Sequence, residues 1–460
     1  MKRPNILLVV SDEHDPAIAG CYGNPYVETP HMDRLADQGA LFERAYTSCP
    51  ICVPARNSYM TGKYVHQIEA WDNGSPLAGD VPTIGNYLEA AGYETVLSGR
   101  THFVGGERMH GFGKRLLDEP FNQRELDMIP SGRDKEDRRG SNSHVTACGP
   151  GDDEQNRFDR IAVEMAVRYL REKARRPSDR PWLMHVGVYM PHFPLICPRE
   201  YFDRYYPDRV VMPATRHEIF ESQHPAVQQA RHWMRNDEVL DDEVTRTALA
   251  AYYGLVTHTD DLLGRLVNEV DNSALAEDTV VIYMSDHGEN GGHHGLWQKM
   301  TFFEHSVRVP IIMRLPGVVE PVRVSYGASI VDILPTLLDL ADQEPADLPG
   351  ISLVPHARGE TEEVVPRPVF SEFHAFGSTT GGFMIARGPW KYIHYKGLPD
   401  QLFNTDEDPD EVDNRAADRA CREIRAQLYE QLLAVCDPEE VDRRAKSNQK
   451  HSGVERGFRS

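Results

Sequence analysis

The sequence predicts an α/β fold in which helices sandwich a large, mostly parallel sheet, followed by a smaller antiparallel sheet with a helix. The first observation is that apolar, β-branched runs alternate with helical patterns through most of the chain. This alternation is typical of parallel strands that are covered on both faces. The second observation is that short strand-like pieces separated by turn signals follow one another beyond about residue 355, a pattern that favours antiparallel pairing.

The predicted strands of the large sheet are apolar runs flanked by polar residues. In chain order they cover residues 5–12, 94–98, 182–189, 279–286 and 309–314. The predicted helices show the 3.6-residue apolar period. They cover residues 32–42, 83–91, 160–173, 242–270 and 330–341.

The remaining segments define the predicted domain organisation. Residues 104–156 are rich in Gly, Arg, Asp and Ser with little periodicity, so we expect a long insertion over the sheet edge, near the site. The small sheet is predicted over 364–374, 382–387, 390–396 and 401–404, with a helix over 414–435. We therefore predict a catalytic domain over 1–355, a C-terminal unit over 356–442 and a basic tail over 443–460.

Charge and composition exclude several function classes. In these 460 residues the acidic residues outnumber the basic ones by 71 to 50, giving a net charge of −21. Nucleic acid and anionic membranes are therefore not expected partners, because binding them needs a surplus of cations. The seven cysteines are odd in number and irregularly spaced, which fits a reducing compartment. The apolar run at 5–10 is too short for a signal peptide, so we expect a soluble, cytoplasmic protein.

Two predicted strands end in residues that can bind a cation. Asp12 and Glu13 close the first strand, and Asp286 and His287 close the strand at 279–286. Ligands of open α/β sheets bind outside the carboxyl ends of the strands. Each pair alone could be a loop or helix cap, but the two together favour a metal site with oxygen ligands and an imidazole.

The segment around Cys52 is a second candidate for chemistry. Cys49 and Cys52 form a CxxC pair, which could be a redox pair or half of a zinc site, although no second pair accompanies it. Pro54 suits the first turn of a helix. Cys52 would then lie at a helix N-terminus, where the dipole and free N–H groups favour an anion and support a nucleophile. The alternative is a buried, inert cysteine.

The run Cys52-Val53-Pro54-Ala55-Arg56 resembles the signature of the sulfatases, in the alkaline phosphatase superfamily, whose signature cysteine is oxidised to Cα-formylglycine. The resemblance covers nearly the whole chain. The other matching segments are 4–12, 29–35, 98–103, 191–194, 285–289, 295–304, 308–310, 390–393 and 402–404. Residues 295–304 and 308–310 most resemble the choline-sulfatase branch and the related phosphonate monoester hydrolases.

This resemblance implies hydrolysis of a small anionic sulfate ester by hydrated formylglycine at position 52, after maturation by a formylglycine-generating enzyme. One hydroxyl of the diol, acidified by a metal, would attack sulfur and form a covalent sulfate ester. Loss of the proton from the second hydroxyl would then expel sulfate and restore the aldehyde. The implied ligands of one divalent metal ion are Asp12, Glu13, Asp286, His287 and residue 52.

The resemblance also implies roles for the surrounding polar residues. Arg56 would steady the diol, while Arg100, Lys299, His102 and His192 would surround the sulfuryl oxygens. One histidine would protonate the leaving alkoxide and the other would help to deprotonate the diol. On resemblance, His192 is preferred as the acid.

Three positions depart from the commoner family pattern. Glu13 stands where many sulfatases have Asp, and Arg100 stands where a lysine is common. His287 stands where typical calcium sulfatases have Asn. Imidazole suits Mn²⁺ or Zn²⁺ better than Ca²⁺, so the identity of the metal, Ca²⁺ or Mn²⁺, is left open.

Two alternative functions and several alcohols stay open at this point. The same site could act on phosphonate monoesters or phosphodiesters, or the chain could be a non-catalytic binding protein if Cys52 is unmodified. The alcohol of the substrate could be choline, a sugar or an aryl group. Trp71 is a candidate wall for a quaternary ammonium, and His110 in the long insertion is a further candidate for the pocket.

The basic tail leads to a prediction about assembly. Residues 443–460 carry six Lys and Arg residues against Glu455 alone. Composition alone favours disorder in this segment, because a basic stretch with few apolar residues has little reason to fold back on the rest of the chain. The choline-sulfatase branch, however, uses C-terminal segments to join subunits. We therefore expect a homo-oligomer in which residues after about 440 contact another subunit.

Overall fold

The computed structural model describes residues 3–120, 141–176, 178–238, 240–318, 321–344, 347–360 and 365–457. The strands in these ranges are β1 (Asn5–Asp12), β2 (Ala40–Phe42), β3 (Ala45–Tyr46), β4 (Glu94–Gly99), β5 (Lys114–Asp118), β6 (Gly149–Pro150), β7 (Trp182–Pro191), β8 (Ile196–Cys197), β9 (Thr279–Ser285), β10 (Ile311–Arg314), β11 (Val322–Val324), β12 (Ala328–Ser329), β13 (Val369–Phe373), β14 (Gly382–Arg387), β15 (Trp390–Tyr395) and β16 (Gln401–Asn404).

The helices alternate with these strands through the first two thirds of the chain. The α-helices are α1 (Pro30–Asp37), α2 (Cys52–Thr61), α3 (Val65–Ile68), α4 (Ile84–Ala90), α5 (Ser143–Thr146), α6 (Glu154–Arg175), α7 (Arg199–Phe202), α8 (Pro225–Trp233), α9 (Asp242–Asp271), α10 (Glu304–Val307), α11 (Ile333–Leu340), α12 (Val354–Ala357), α13 (Arg422–Val435) and α14 (Pro438–Gly457). Short 3₁₀ turns lie at Pro16–Ile18, Gly20–Tyr22, Phe220–Ser222, Ala276–Asp278, His293–Gly295, Ile330–Asp332 and Arg415–Ala417.

The large sheet has eight described strands in the order β11-β2-β10-β9-β1-β7-β4-β5. Strand β1 pairs in parallel with both β7 and β9, and β4 pairs in parallel with β7 and β5. Only β10 runs against its neighbours, β9 and β2, in this described part. Alternate residues of β1 face two different apolar clusters, Leu7 one and Leu8 the other. This confirms the predicted α/β sheet covered on both faces.

The small sheet has the antiparallel order β13-β14-β15-β16, which confirms the prediction for this region. Its apolar face packs in one cluster with Ile51 and Trp71 from the N-terminal part of the chain. The amide of Glu372 on β13 also donates to the carbonyl of Ser48, at 2.9 Å. The small sheet therefore shares a core with the segment that leads into α2, and the predicted domain division stays a prediction.

The predicted helix over 32–42 is wrong in its second half. Helix α1 ends at Asp37, and Ala40–Phe42 is strand β2 of the large sheet, paired with β10 and β11. Gly39 allows the chain to approach β10 closely at this point, because a Cβ here would lie 2.4 Å from the carbonyl oxygen of Met313. The apolar triplet that follows this glycine thus belongs to a strand.

The predicted long insertion at 104–156 is more ordered than its composition indicates. It contains edge strand β5, helix α5, strand β6 and the start of α6, while residues 121–140 lie outside the described ranges. Strand β5 has only two apolar residues, Leu116 and Leu117, between charged ones. Because it lies at the edge of the sheet, it does not show the apolar run that identifies a central strand.

The first part of the basic tail folds back onto the chain, so the prediction from composition is wrong there. It continues helix α14, in which Ala445 is fully buried. Arg444 donates to the carbonyl of His66 at 2.7 Å, and Asn448 donates to Glu69 at 2.8 Å. Gln449 donates to Asp72 at 3.1 Å. These partners lie far away in sequence, which is why composition could not reveal them.

Truncation after Asp442 is expected to lower the free energy of unfolding by about 2–4 kcal/mol, because it removes the hydrogen bonds of Arg444 and Gln449 and the packing of Ala445. Thermal denaturation would measure the loss. Truncation after Lys450 is the matched control, since it removes Arg456 and Arg459 but none of these contacts. An unchanged unfolding temperature in the shorter chain would contradict the prediction.

The predicted homo-oligomer stays a prediction. Light scattering of the same two truncated variants would test it.

Two further findings concern the whole described chain. Among the described residues, no helix is both long and apolar enough to cross a membrane. All seven cysteines lie in the described ranges, and none of them forms a disulfide.

Candidate active site

The carboxyl ends of β1 and β9 form the base of the site. These strands are parallel neighbours with Ser11 opposite Ser285, so the residues that follow converge as predicted. His287 Nε2 lies 3.6 Å from Asp12 Oδ1 and 3.8 Å from Asp286 Oδ1. All three side chains are fully buried. Two carboxylates and an imidazole therefore meet at one point below the surface.

Cys52 reaches the same point from the first residue of α2, at the predicted helix N-terminus. Its Sγ lies 3.2 Å from His287 Nε2 and 3.7 Å from Asp12 Oδ1. Burial, together with the charge of Asp12, raises the pKa of the Cys52 thiol to about 12. An unmodified thiol here is therefore protonated near neutral pH and is a poor nucleophile. Cys49, its CxxC partner, is also buried and unpaired.

Two arginines neutralise the carboxylates. Arg56 Nε lies 2.8 Å from Asp286 Oδ2, and Arg56 Nη2 lies 3.1 Å from Asp12 Oδ2. Arg100 Nε lies 2.6 Å from the same oxygen of Asp12. Burial alone would raise the pKa of Asp12, but the charges of Arg100, His192 and Arg56 outweigh it and hold that pKa well below its usual range. Asp12 is therefore an anion in the folded protein.

Glu13 follows Asp12 at the base of the site and contacts two further site residues, Lys299 and His192. Glu13 Oε2 lies 3.0 Å from Lys299 Nζ and 3.3 Å from His192 Nε2. Burial raises the pKa of Glu13 well above its usual range despite Lys299, and the carboxylate of Glu289 adds to the rise. Its other oxygen, Oε1, is buried without a hydrogen-bond partner among the described residues. A bound cation would compensate both features.

The two predicted catalytic histidines have opposite hydrogen-bond patterns. His192 Nδ1 donates to the carbonyl of Phe193 at 2.6 Å, which leaves Nε2 facing the site. His102 Nδ1 accepts from Arg100 Nη2 at 3.0 Å, so the proton of neutral His102 is on Nε2. Burial lowers the pKa of both imidazoles, with Arg100 adding to the effect at His102 and Lys299 at His192.

The cluster fits a divalent cation. Asp12, Cys52, Asp286 and His287 each offer one donor atom within 4.8 Å of the other three. His287 Nδ1 donates to the carbonyl of Gly288 at 3.0 Å, which leaves the lone pair of Nε2 free for a metal. Glu13 belongs to a second group, with Asp12 and His192. Four of the five predicted ligands therefore lie in one cluster, and Glu13 lies beside it.

Trp71 and His110, the two predicted pocket residues, do not join this cluster. Trp71 is 2% exposed and packs edge-on against His374, with Arg444 of α14 over its ring at 5.6 Å. His110 is 4% exposed and packs against Phe103. These contacts place both side chains in packed surroundings outside the cluster, so their predicted place in the substrate pocket stays a prediction.

Two residues that support the site had no role in the predictions. The side chain of Asn73 accepts the Val53 amide at 3.0 Å, next to Cys52 at the start of α2. Buried Glu289 accepts the amides of Gly291 and Gln298, at 2.8 and 2.5 Å, and so supports the loop that carries Lys299. Glu289 lies in the matching segment 285–289, but neither residue has a sequence spacing that would reveal its contact.

Two family models match the sequence of this chain. The family model described as Sulfatase matches residues 4–343, and one described as N-sulphoglucosamine sulphohydrolase, C-terminal, matches residues 292–437. A choline-sulfatase of Rhizobium meliloti is 31% identical over 428 residues, which cover 90% of this chain and 82% of the relative. Arylsulfatase K of Gallus gallus is 29% identical over 438 residues, covering 90% and 79%.

The structural comparison agrees with this. The phosphonate monoester hydrolase of Agrobacterium radiobacter superimposes with a TM-score of 0.77 at 26% identity, over 94% of this chain and 95% of its own. The large sheet and the small C-terminal sheet are thus both part of a known fold.

Proposed function

The chain belongs to the sulfatase family and is a sulfuric ester hydrolase, and from this premise we propose that it acts through formylglycine made from Cys52 and one divalent metal ion. The observation that carries the proposal is the meeting of Cys52 with Asp12, Asp286 and His287 in one buried cluster. The high pKa of the thiol supports a modified residue, because the unmodified side chain would be almost entirely protonated.

The two cofactors supply the chemistry that the side chains lack. A divalent cation held by Asp12, Glu13, Asp286, His287 and residue 52 would supply a Lewis acid. Formylglycine would supply, as its hydrate, a nucleophilic hydroxyl and a second one whose ionisation releases sulfate. The imidazole ligand favours Mn²⁺, whereas the carboxylates also suit Ca²⁺.

The chain's own residues bind the sulfuryl group and move protons. Arg100 and Lys299 lie at the rim of the cluster and would attract the anionic ester. His192 is proposed as the general acid on family resemblance: its Nδ1 donates to a carbonyl, so Nε2 faces the site and would take up and deliver the proton that the leaving alkoxide needs. His102, which carries its neutral proton on Nε2, is proposed as a hydrogen-bond donor to the substrate. This differs from the base role that the sequence left open for it.

Mass spectrometry and a pair of substrates test the proposal. Conversion of Cys52 to formylglycine lowers the mass of its peptide by about 18 Da. We expect kcat/KM for an aryl sulfate to exceed that for an aryl phosphonate by about tenfold or more. The reverse order would favour the alternative function, a phosphonate monoester or phosphodiester hydrolase, which the 26% identical hydrolase structure supports. An unmodified Cys52 in active protein would contradict the proposed nucleophile.

The alcohol of the substrate is proposed at the level of a class only. The choline-sulfatase relative favours a small alkyl sulfate. The buried Trp71 gives no support to an aromatic cage built from that residue. Comparing kcat/KM for choline sulfate, a sugar sulfate and an aryl sulfate would decide the class. Maturation by a formylglycine-generating enzyme belongs to the same proposal.

The dependence of the rate on the leaving group should distinguish the role of His192 from that of His102. Replacement of His192 by Ala is expected to cost about 10²–10⁴-fold with an alkyl sulfate and far less with a nitrophenyl sulfate, because only a poor leaving group needs a proton. His102→Ala should lower the rate by about the same factor with the alkyl sulfate as with the nitrophenyl sulfate. His258→Ala, at a buried histidine of α9, is the control and should leave the leaving-group dependence unchanged. Equal losses on both esters for His192→Ala would contradict the assignment.

A further inference from the structure

Glu119 binds the backbone that carries His102. It follows edge strand β5, which runs parallel to β4, and it is only 6% exposed. Its Oε1 accepts the amide of Thr101 at 3.1 Å, the hydroxyl of Thr101 at 3.1 Å and the amide of His102 at 2.5 Å. One carboxylate oxygen therefore satisfies two consecutive backbone donors just beyond the end of β4.

These bonds act where the backbone is strained. His102 has a φ of 56°, in the left-handed region that residues with a Cβ rarely adopt. Such a conformation persists only where the surroundings enforce it. Two buried N–H groups aimed at one carboxylate provide that constraint, because rotation of the peptide out of this conformation would leave them unpaired.

The carboxylate of Glu119 is also linked to Arg100, through the side chain of Tyr189. Glu119 Oε2 accepts the hydroxyl of Tyr189 at 3.5 Å. The guanidinium carbon of Arg100 lies 4.1 Å from the centroid of the Tyr189 ring, and Arg100 Nη2 donates to His102. Glu119 thus contacts the backbone of His102 directly. It reaches Arg100 indirectly, through the ring of Tyr189 on which the guanidinium packs.

We propose that Glu119 is a positioning residue for this hydrolysis: it holds the imidazole of His102, and through Tyr189 the guanidinium of Arg100, in place without touching the substrate. The proposal rests on the proposed role of His102. Misplacement of a reacting group by about 1 Å can cost on the order of 10²-fold in rate. Loss of Glu119 should therefore lower kcat far more than it changes KM.

Kinetics of variants in the full-length, metal-loaded enzyme test this. Glu119→Ala is expected to lower kcat by about 10–100-fold with KM within about threefold. Glu119→Gln keeps an acceptor oxygen and should stay within about fivefold of the parent. If the Ala variant does not fold, Glu119→Asp replaces it, since it keeps the charge but draws the oxygen back by one methylene. Asp118→Asn, at the half-exposed neighbour, is the control and should be within about twofold.

A double-mutant cycle with His102→Ala decides between positioning and general destabilisation. If Glu119 acts through His102, Glu119→Ala should cost less than about threefold in the His102→Ala background. Independent, multiplying losses would overturn the inference alone and leave the proposed function standing. A parental rate for His102→Ala would overturn both the proposed role of His102 and the inference. A rate within twofold of the parent for Glu119→Ala would overturn the inference directly.

Discussion

Replacement of Cys52 by Ala is expected to abolish turnover, by about 10³-fold or more, while the protein stays folded. The loss is large because the proposed nucleophile derives from this side chain. The fold should persist because the change removes only one sulfur atom. Cys52 is 1% exposed, so its place at a helix N-terminus does not keep it out of the core. Initial rates with an aryl sulfate and a thermal denaturation curve would measure both effects.

Cys49 provides a matched control for this substitution. It is equally buried, lies three residues earlier and, like Cys52, forms no disulfide. Cys49→Ala should therefore carry a similar cost in stability but keep most of the activity. Activity above a few per cent in Cys52→Ala, or an equal loss in Cys49→Ala, would show that the nucleophile has been assigned to the wrong residue.

Asp286→Asn and Asp12→Asn should each lower metal content and rate together, by about 10²-fold or more in rate. Each change removes a charged oxygen from the proposed ligand set. Each also leaves Arg56 with one carboxylate in place of two. Elemental analysis of the purified variants, beside initial rates, would show whether the two losses run in parallel.

Asp332→Asn separates loss of the metal from general damage. Asp332 is buried and pairs with Arg367 instead of Arg56 or Arg100. Its variant should keep the metal at the parental level even if it is less stable. Full metal occupancy in both Asp286→Asn and Asp12→Asn would show that the metal is held elsewhere.

The base of the site could be predicted from the sequence, whereas its supports could not. Asp12 ends one central strand and His287 follows another, both with clear apolar runs, and because the strands are parallel neighbours their carboxyl ends lie together. Glu119 follows an edge strand with only two apolar residues, so neither the strand nor its contact with His102 could be seen. The partners of Arg444 and Gln449 lie near residue 70, and such contacts leave no local pattern.

The shared core around Cys52 has a consequence for the order of events during synthesis. Ile51 lies in one apolar cluster with residues of β13 to β16, and the carbonyl of Ser48 accepts the amide of Glu372. These partners leave the ribosome roughly 300 residues after Cys52, which at ~5–20 residues per second is a delay of tens of seconds. During that interval the segment around Cys52 cannot adopt its final packing. The maturation proposed for Cys52 would therefore have a window before the chain closes, and the 1% exposure of Cys52 in the folded protein would end that access.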